Sequence, residues 1–297
     1  MKNSSPIKFW NPYSKKIEEE SVYGDRALRL LYETSIGQRL SEVLSSSIFS
    51  KLYGGFQNSP LSRSKILPFI KNFHIQTEEF ETGPFRSFND FFSRRFLPGR
   101  RVFCKDDLPA FAEGRYLGFD KVTSKMDFPI KGDSLNSSKL LGDADKCQPF
   151  AGGPALIARL CPVDYHRFHF PDDGDVVDRW KVEGRLQSVN PVALRWKGDV
   201  FITNERQITI LKTKNFGLLA YIEVGAIFVG KIIQTYVGNH FKRGDEKGYF
   251  LFGASTVIIL GEPGKFFIDP LILKNSLAGL ETFVRLGDRV ALSKGVK

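Results

Sequence analysis

The chain has 297 residues, enough for one large domain or two small ones with an ample core. Hydrophobic residues make up 42% and charged residues 26%, which excludes a disordered or fibrous protein. A formal net charge of +10 favours an anionic partner, either nucleic acid or an anionic lipid surface, unless it serves solubility alone.

Met1 to Glu20 is polar and lacks an apolar core, so no secretory signal is expected. No apolar run reaches the roughly eighteen residues that span a bilayer, and any membrane contact is expected to be peripheral. From Tyr23 to Phe96 the apolar spacing is helical. Leu40, Val43, Leu44 and Ile48 share one helical face, and Ala27, Leu30 and Leu31 repeat the spacing one helix earlier. Arg26, Arg29, Arg39, Lys51, Arg63, Lys65 and Lys71 are interleaved with these positions. Two readings stay open: helices packed on a core, or an interfacial face lying on a membrane. Ser87-Phe88-Asn89-Asp90 predicts the capped start of a short helix that carries Phe91 and Phe92 and stops before Pro98. Residues 1–98 therefore read as a helical N-terminal region.

Residues 99–297 read as a β-rich core. Apolar, β-branched or aromatic runs recur at Val200–Ile202, Ile208–Leu211, Leu218–Ile222, Ala226–Val229, Ile232–Val237, Tyr249–Phe252 and Thr256–Leu260. Turn signals such as Lys197-Gly198-Asp199 and Asn215-Phe216-Gly217 separate them. Their close spacing, without intervening helical segments, favours a largely antiparallel sheet. The expected class is α+β.

Cys104, Cys147 and Cys161 form no C-x-x-C pair, which gives zinc little support and suggests reduced thiols in an intracellular setting. Two of the four histidines, His166 and His169, lie in one short segment, Leu160 to Pro171. In a turn or short helix they could share a site, with Asp164 or Asp172 as a further ligand. One of them could serve as a general base, or both could be satisfied surface histidines. In Gly248-Tyr249-Phe250-Leu251-Phe252-Gly253-Ala254-Ser255-Thr256, small residues and hydroxyls interrupt what should be a strand pair. An ordinary hairpin turn accounts for this pattern. A hydrolase nucleophile elbow does not, because Val257 stands where that motif needs glycine.

Together these segments resemble the phosphatidylserine decarboxylases, a pyruvoyl-dependent family, over most of the chain from about Tyr32 to Lys265. Phe252-Gly253-Ala254-Ser255-Thr256 is similar to the family's self-processing motif, and Arg243 to Phe250 to its lead-in. Pro162-Val163-Asp164-Tyr165-His166-Arg167-Phe168-His169-Phe170-Pro171 resembles the family's histidine block. Ser188-Val189-Asn190, Asn204-Glu205-Arg206, Val224-Gly225-Ala226 and Phe88 to Arg94 resemble further family blocks in the same order. There are two departures: Ala254 stands where the family has glycine, and Glu113, in Phe111-Ala112-Glu113-Gly114-Arg115, stands where it has aspartate.

The resemblance implies a Glu113–His169–Ser255 triad. Glu113 would hold the His169 tautomer, and His169 would take the proton of Ser255. Ser255 would attack the carbonyl of Ala254, cutting the chain at Ala254–Ser255 and leaving a pyruvoyl group in place of Ser255. That group would form a Schiff base with the amine of phosphatidylserine, and decarboxylation would yield phosphatidylethanolamine. His166 would handle protons or the substrate carboxylate. The implied partners are phosphatidylserine, an anionic membrane surface and the two cleavage-product chains as a heterodimer, with a homodimer of that pair left open. No metal and no nucleic acid are expected. The implied location is peripheral, on the cytoplasmic face of the cell membrane. The rival reading is a serine acyl hydrolase using Ser255, His169 and Glu113 on an external ester, without self-cleavage.

Overall fold

The computed structural model describes residues 6–21, 30–32, 34, 37, 39, 54–122, 137–189, 199–226, 231–253 and 255–293. The helical spacing through Leu40, Val43, Leu44 and Ile48 lies outside these residues, as do Ala27, Asn190 and Ala254. Strands run in chain order as β1 (Lys8–Asn11), β2 (Lys16–Glu19), β3 (Leu108–Pro109), β4 (Gly114–Phe119), β5 (Ala155–Leu160), β6 (Arg167–His169), β7 (Gly174–Val182) and β8 (Arg206–Thr213). They continue as β9 (Gly217–Val224), β10 (Ile232–Gln234), β11 (His240–Phe241), β12 (Glu246–Phe250), β13 (Ser255–Gly261), β14 (Phe267–Ile268), β15 (Glu281–Val284) and β16 (Arg289–Leu292). The helices are α1 (Ile66–Phe73), α2 (Phe88–Phe92), α3 (Ser137–Leu141), α4 (Val200–Thr203) and α5 (Pro270–Leu277).

Among the described residues the main sheet has ten strands in the order β11-β7-β8-β9-β13-β5-β4-β15-β1-β2. Its pairings are antiparallel except β1 on β15. β13 lies inside the sheet, between β9 and β5, and every one of its residues is buried. Burial on both faces is why it reads as an unbroken apolar run rather than an alternating one. Ile258 faces Ile157 of β5 on one side and Ile222 of β9 on the other. A small antiparallel sheet, β10-β12-β6, carries the histidine block. β14-β16-β3 forms a third sheet.

Two stretches differ from the sequence reading. Within residues 1–98, Lys8–Asn11 and Lys16–Glu19 form a β-hairpin on the edge of the main sheet. Ile7 and Phe9 are buried while Lys8 is exposed, a period of two too short to stand out in the sequence. The Val200–Ile202 run is helical: Thr203 N and Oγ1 donate to the Asp199 carbonyl and Asn204 N to that of Val200. The Asn204 side chain then bonds Gln187 and Gly225, turning the chain into β8. At other places local chemistry and structure agree. Ser87 Oγ accepts from Asp90 N at the start of α2. The β8–β9 hairpin turns at Asn215-Phe216-Gly217, with Gly217 at φ 69°.

Truncating a side chain at the centre of β13 should be severe. Ile258→Ala is expected to lower unfolding free energy by about 2–5 kcal/mol in denaturant titration. A loss below about 1 kcal/mol would contradict the central placement of this strand.

Candidate active site

The segment before Ser255 is held by the N-terminal aromatic block. The short helix α2 presents Phe88 and Phe92 to Phe252, each with its ring centroid 5.0 Å away. Asn89 Oδ1 accepts from Phe252 N at 2.7 Å. Asn89 Nδ2 donates to Asn58, which anchors the helix in turn. Gly253 follows at φ 149°, a conformation that a residue with a Cβ rarely adopts. Ser255 then opens β13 opposite Leu160. It is 0% exposed, and among the described residues its Oγ has no hydrogen-bond partner. The neighbouring Thr256 Oγ1 is likewise buried and unbonded. Ala254, the other half of the expected cleavage pair, lies outside the described residues.

His166 is wholly buried and packs against Phe92, 3.9 Å between ring centroids with the rings tilted by 39°. Its Nδ1 lies 3.0 Å from the Asp164 carbonyl, which can only accept, so Nδ1 carries the proton and Nε2 the lone pair. The Gly253 carbonyl adjoins the same ring, so this histidine sits against the segment that leads into Ser255. Burial, with help from the Arg94 and Arg115 charges, lowers its pKa to about 3, against the pull of the two carbonyls. The ring is therefore neutral at physiological pH.

His169 ends β6. Its Nδ1 donates to the Gly244 carbonyl at 2.9 Å, and its Nε2 accepts from Tyr165 Oη at 3.1 Å. It is also buried, which pulls its pKa down. β12 fixes this strand by pairing Glu246 with His169 and Gly248 with Phe168. Gly248 permits the approach, because a Cβ there would stand 2.2 Å from the Ile233 carbonyl oxygen and 2.7 Å from the Phe168 ring. The register shifts between Glu246 and Gly248, and Lys247 turns inward to Glu223 Oε1 at 2.5 Å.

Glu113 is gripped by Arg101 at 2.6 and 2.9 Å and accepts from Leu286 N at 3.1 Å. Arg101 also reaches Glu79. The His169 tautomer is set by Gly244, and the Glu113 charge is among the smaller influences that push the Tyr165 and Arg94 pKa values up. The structure thus brings His166 to Gly253, leaves Ser255 Oγ unbonded, and gives His169 and Glu113 separate partners. Among the described residues, no cluster of His, Cys, Asp and Glu could hold a metal ion.

Sequence reading did not single out Tyr165, Asp164 as a support, or the Arg101 clamp. Tyr165 and Asp164 could have been found, since both stand in the histidine block. Asp164 receives Arg115 and Cys161 N on its carboxylate and His166 on its carbonyl. No sequence signal connects Arg101 to Glu113, because their meeting depends on tertiary register.

Comparison with known proteins bears on this arrangement. The family model for phosphatidylserine decarboxylase matches residues 88–291. The chain belongs to the phosphatidylserine decarboxylase family. The matched span begins at α2 and contains the histidine block, Glu113 and Ser255. Relatives named phosphatidylserine decarboxylase proenzyme include one from Clostridium kluyveri, 41% identical over 96% of this chain and 99% of its own. Another, from Chlamydia felis, is 41% identical over 93% of this chain and 94% of its own. A third, from Desulfitobacterium hafniense, is 38% identical over 96% and 98%.

Neutral burial of His166 makes a pH prediction. Its folded pKa lies below its unfolded value near 6.5, so the unfolded state binds more protons and stability falls as pH drops from about 6.5 toward 3. Replacing it by Phe should reduce the slope of unfolding free energy against pH by up to about one proton near pH 5, measured by urea titration. Equal slopes would contradict the neutral, buried state.

Proposed function

We propose that the chain decarboxylates phosphatidylserine to phosphatidylethanolamine and carbon dioxide after cutting itself between Ala254 and Ser255. It is a carboxy-lyase, as its family membership implies. One observation carries the reading of Ser255: a serine hydroxyl, wholly out of water and, among the described residues, without a hydrogen bond, at the head of a central strand. Native folds rarely leave such a group unsatisfied unless it has a chemical task. The printed name of the relatives, proenzyme, supports self-processing over the rival acyl hydrolase, which would keep its chain whole. The carbonyl of the residue preceding Ser255 is already at hand, so high effective molarity replaces substrate binding.

In the proposed cleavage Ser255 Oγ adds to the Ala254 carbonyl and gives its proton to a histidine. The proton then passes to the Ser255 nitrogen as the C–N bond breaks, turning amide into ester. Loss of the Cα proton then breaks the Cβ–Oγ bond, Oγ leaves as a carboxylate oxygen of Ala254, and the dehydroalanine left at the head of the shorter chain takes up water and releases ammonia, which leaves a carbonyl at the former Cα. His169 is the proposed base. Its Nδ1 proton is fixed by Gly244, which leaves Nε2 basic, with Tyr165 as the present occupant that must yield. Glu113, held by Arg101, supplies negative charge that favours a cation forming on that side. His166, neutral and adjacent to Gly253, is proposed to hold or deliver a proton at Nε2 during decarboxylation.

The surroundings of Ser255 fit a pyruvoyl group made from it. The orphaned hydroxyl is the attacking and then the leaving oxygen, β5 and β9 hold the residues after the new carbonyl, and Phe92, Phe252 and His166 lie before it. Such a group supplies a carbonyl that condenses with the substrate amine and accepts the electrons left by departing carbon dioxide. The two product chains would stay together, because β13 and β15 of the shorter pair with β9, β5 and β4 of the longer.

The substrate is an anionic lipid, and a peripheral approach to its membrane is part of this proposal. Among the described residues no helix is long and apolar enough to cross a bilayer. Support for the approach comes from Leu61 and Leu67, 76% and 69% exposed, flanked by Arg63, Lys65 and Lys71 around α1.

Ser255→Ala should remain one chain on denaturing gels and release no carbon dioxide from phosphatidylserine vesicles. His169→Ala should slow cleavage by at least about a hundredfold. A Ser255→Ala protein that still splits or still decarboxylates would overturn the proposal.

A further inference from the structure

Arg94 lies two residues beyond α2 and is 3% exposed. Its guanidinium stacks on Phe80 and Phe91, 4.4 and 5.0 Å from their ring centroids. Nη2 donates to the carbonyls of Val163 and Asp164 at 3.0 and 3.3 Å. Nε and Nη1 are buried and, among the described residues, bond to nothing. Two carboxylates act on Arg94 by charge, and both are engaged elsewhere. Asp164 is held by Arg115 and Cys161 N, and Glu113 by Arg101 and Leu286 N. Burial lowers the Arg94 pKa to about 10, so the group remains a cation at neutral pH.

A buried cation with two open donors is a costly arrangement for a fold to keep. Its position suggests the reason. The Asp164 carbonyl that accepts from Arg94 also accepts from His166 Nδ1, which puts the guanidinium one backbone carbonyl away from the ring against Gly253. His166 Nε2, also buried and unbonded among the described residues, belongs to the ring that adjoins the Gly253 carbonyl, two residues before Ser255. Because Nη2 is taken by the two carbonyls, the open donors Nε and Nη1 lie on different sides of the guanidinium, and each offers a charge-assisted hydrogen bond to one anionic oxygen.

Phosphatidylserine offers two anions, a carboxylate and a phosphodiester. The carboxylate departs as neutral carbon dioxide. A cation bonded to it would stabilise the substrate more than the transition state and would slow the reaction. The phosphodiester keeps its charge in substrate, transition state and product. We propose that Arg94 binds the phosphodiester of the substrate through one of its open donors and so positions the serine head group beside His166. This rests on the reading that the chain acts on phosphatidylserine, and it adds a binding residue to that site.

The test uses self-cleaved wild-type, Arg94→Gln and Arg94→Lys enzymes. Kinetics are measured with a short-chain phosphatidylserine. Calorimetry is run with glycerophosphoethanolamine, which has the phosphodiester without the carboxylate, and with free serine, which has the reverse. Arg94→Gln is expected to cleave itself normally, to raise KM by about tenfold or more with kcat changed less than about threefold, and to weaken glycerophosphoethanolamine binding in proportion. Serine binding should not change. Arg94→Lys keeps the charge and a donor for the Asp164 carbonyl. It should recover part of the affinity, and it carries the test if the Gln protein does not fold. Unchanged KM and unchanged glycerophosphoethanolamine affinity would overturn the proposal, and so would a loss confined to serine. Self-cleavage of each variant is read separately, so failure of the processing reading is distinguishable from failure of this one.

Discussion

Ser255 enters the central strand with its hydroxyl buried and, among the described residues, unbonded, and much of the candidate site can be understood as what holds it there. β5 and β9 fix the strand after it, so the serine cannot slip in register without displacing the apolar run from Val257 to Leu260. Before it, Phe252 is clamped by Phe88, Phe92 and the Asn89 side chain. Fixed on both sides, the Gly253–Ser255 segment carries the conformational demand, and glycine at φ 149° is the residue that meets it.

The histidine block is supported from beneath by buried charge. Asp164, whose carbonyl orients His166, bonds Arg115 of β4. Arg115 and Arg159 share Glu20, which follows β2, and Arg159 continues to Glu281 at the start of β15. Glu20 keeps a pKa of about 2: burial pushes it up, and the two arginines overcome that. Such a cluster contributes less to net stability than its short distances suggest, because each ion must first be desolvated. Removing one partner would leave the others uncompensated, so the cluster ties the N-terminal hairpin to the loop that carries Asp164 and His166. Lys247 and Glu223 play a similar part behind β6, both 0% exposed.

Local features of this architecture were legible in the sequence and long-range ones were not. The Ser87 cap, the turn at Asn215-Phe216-Gly217 and the apolar runs inside β8, β9 and β13 are each settled by a few neighbouring residues. The largely antiparallel core followed from the close spacing of those runs. Val200–Ile202 has strand-like composition, yet the side-chain bonds of Asn204 to Gln187 and Gly225 turn it into a helical turn. Lys8–Asn11 becomes a strand because β15, far along the chain, offers it an edge. At the site, Ser255, His166 and His169 could be picked out from motif order. The Arg101 grip on Glu113, the Gly244 carbonyl on His169 and the open donors of Arg94 arise from register and packing, which residue spacing does not encode.

The central claim is that Ser255 becomes a carbonyl at the head of β13. Intact-mass spectrometry of the purified wild-type protein addresses it most directly. The account predicts two chains, 1–254 and 255–297, the shorter lighter by one ammonia than the unmodified peptide and reactive toward phenylhydrazine. A single chain of 297 residues, or a 255–297 fragment of unmodified mass with a free amino terminus, would contradict it.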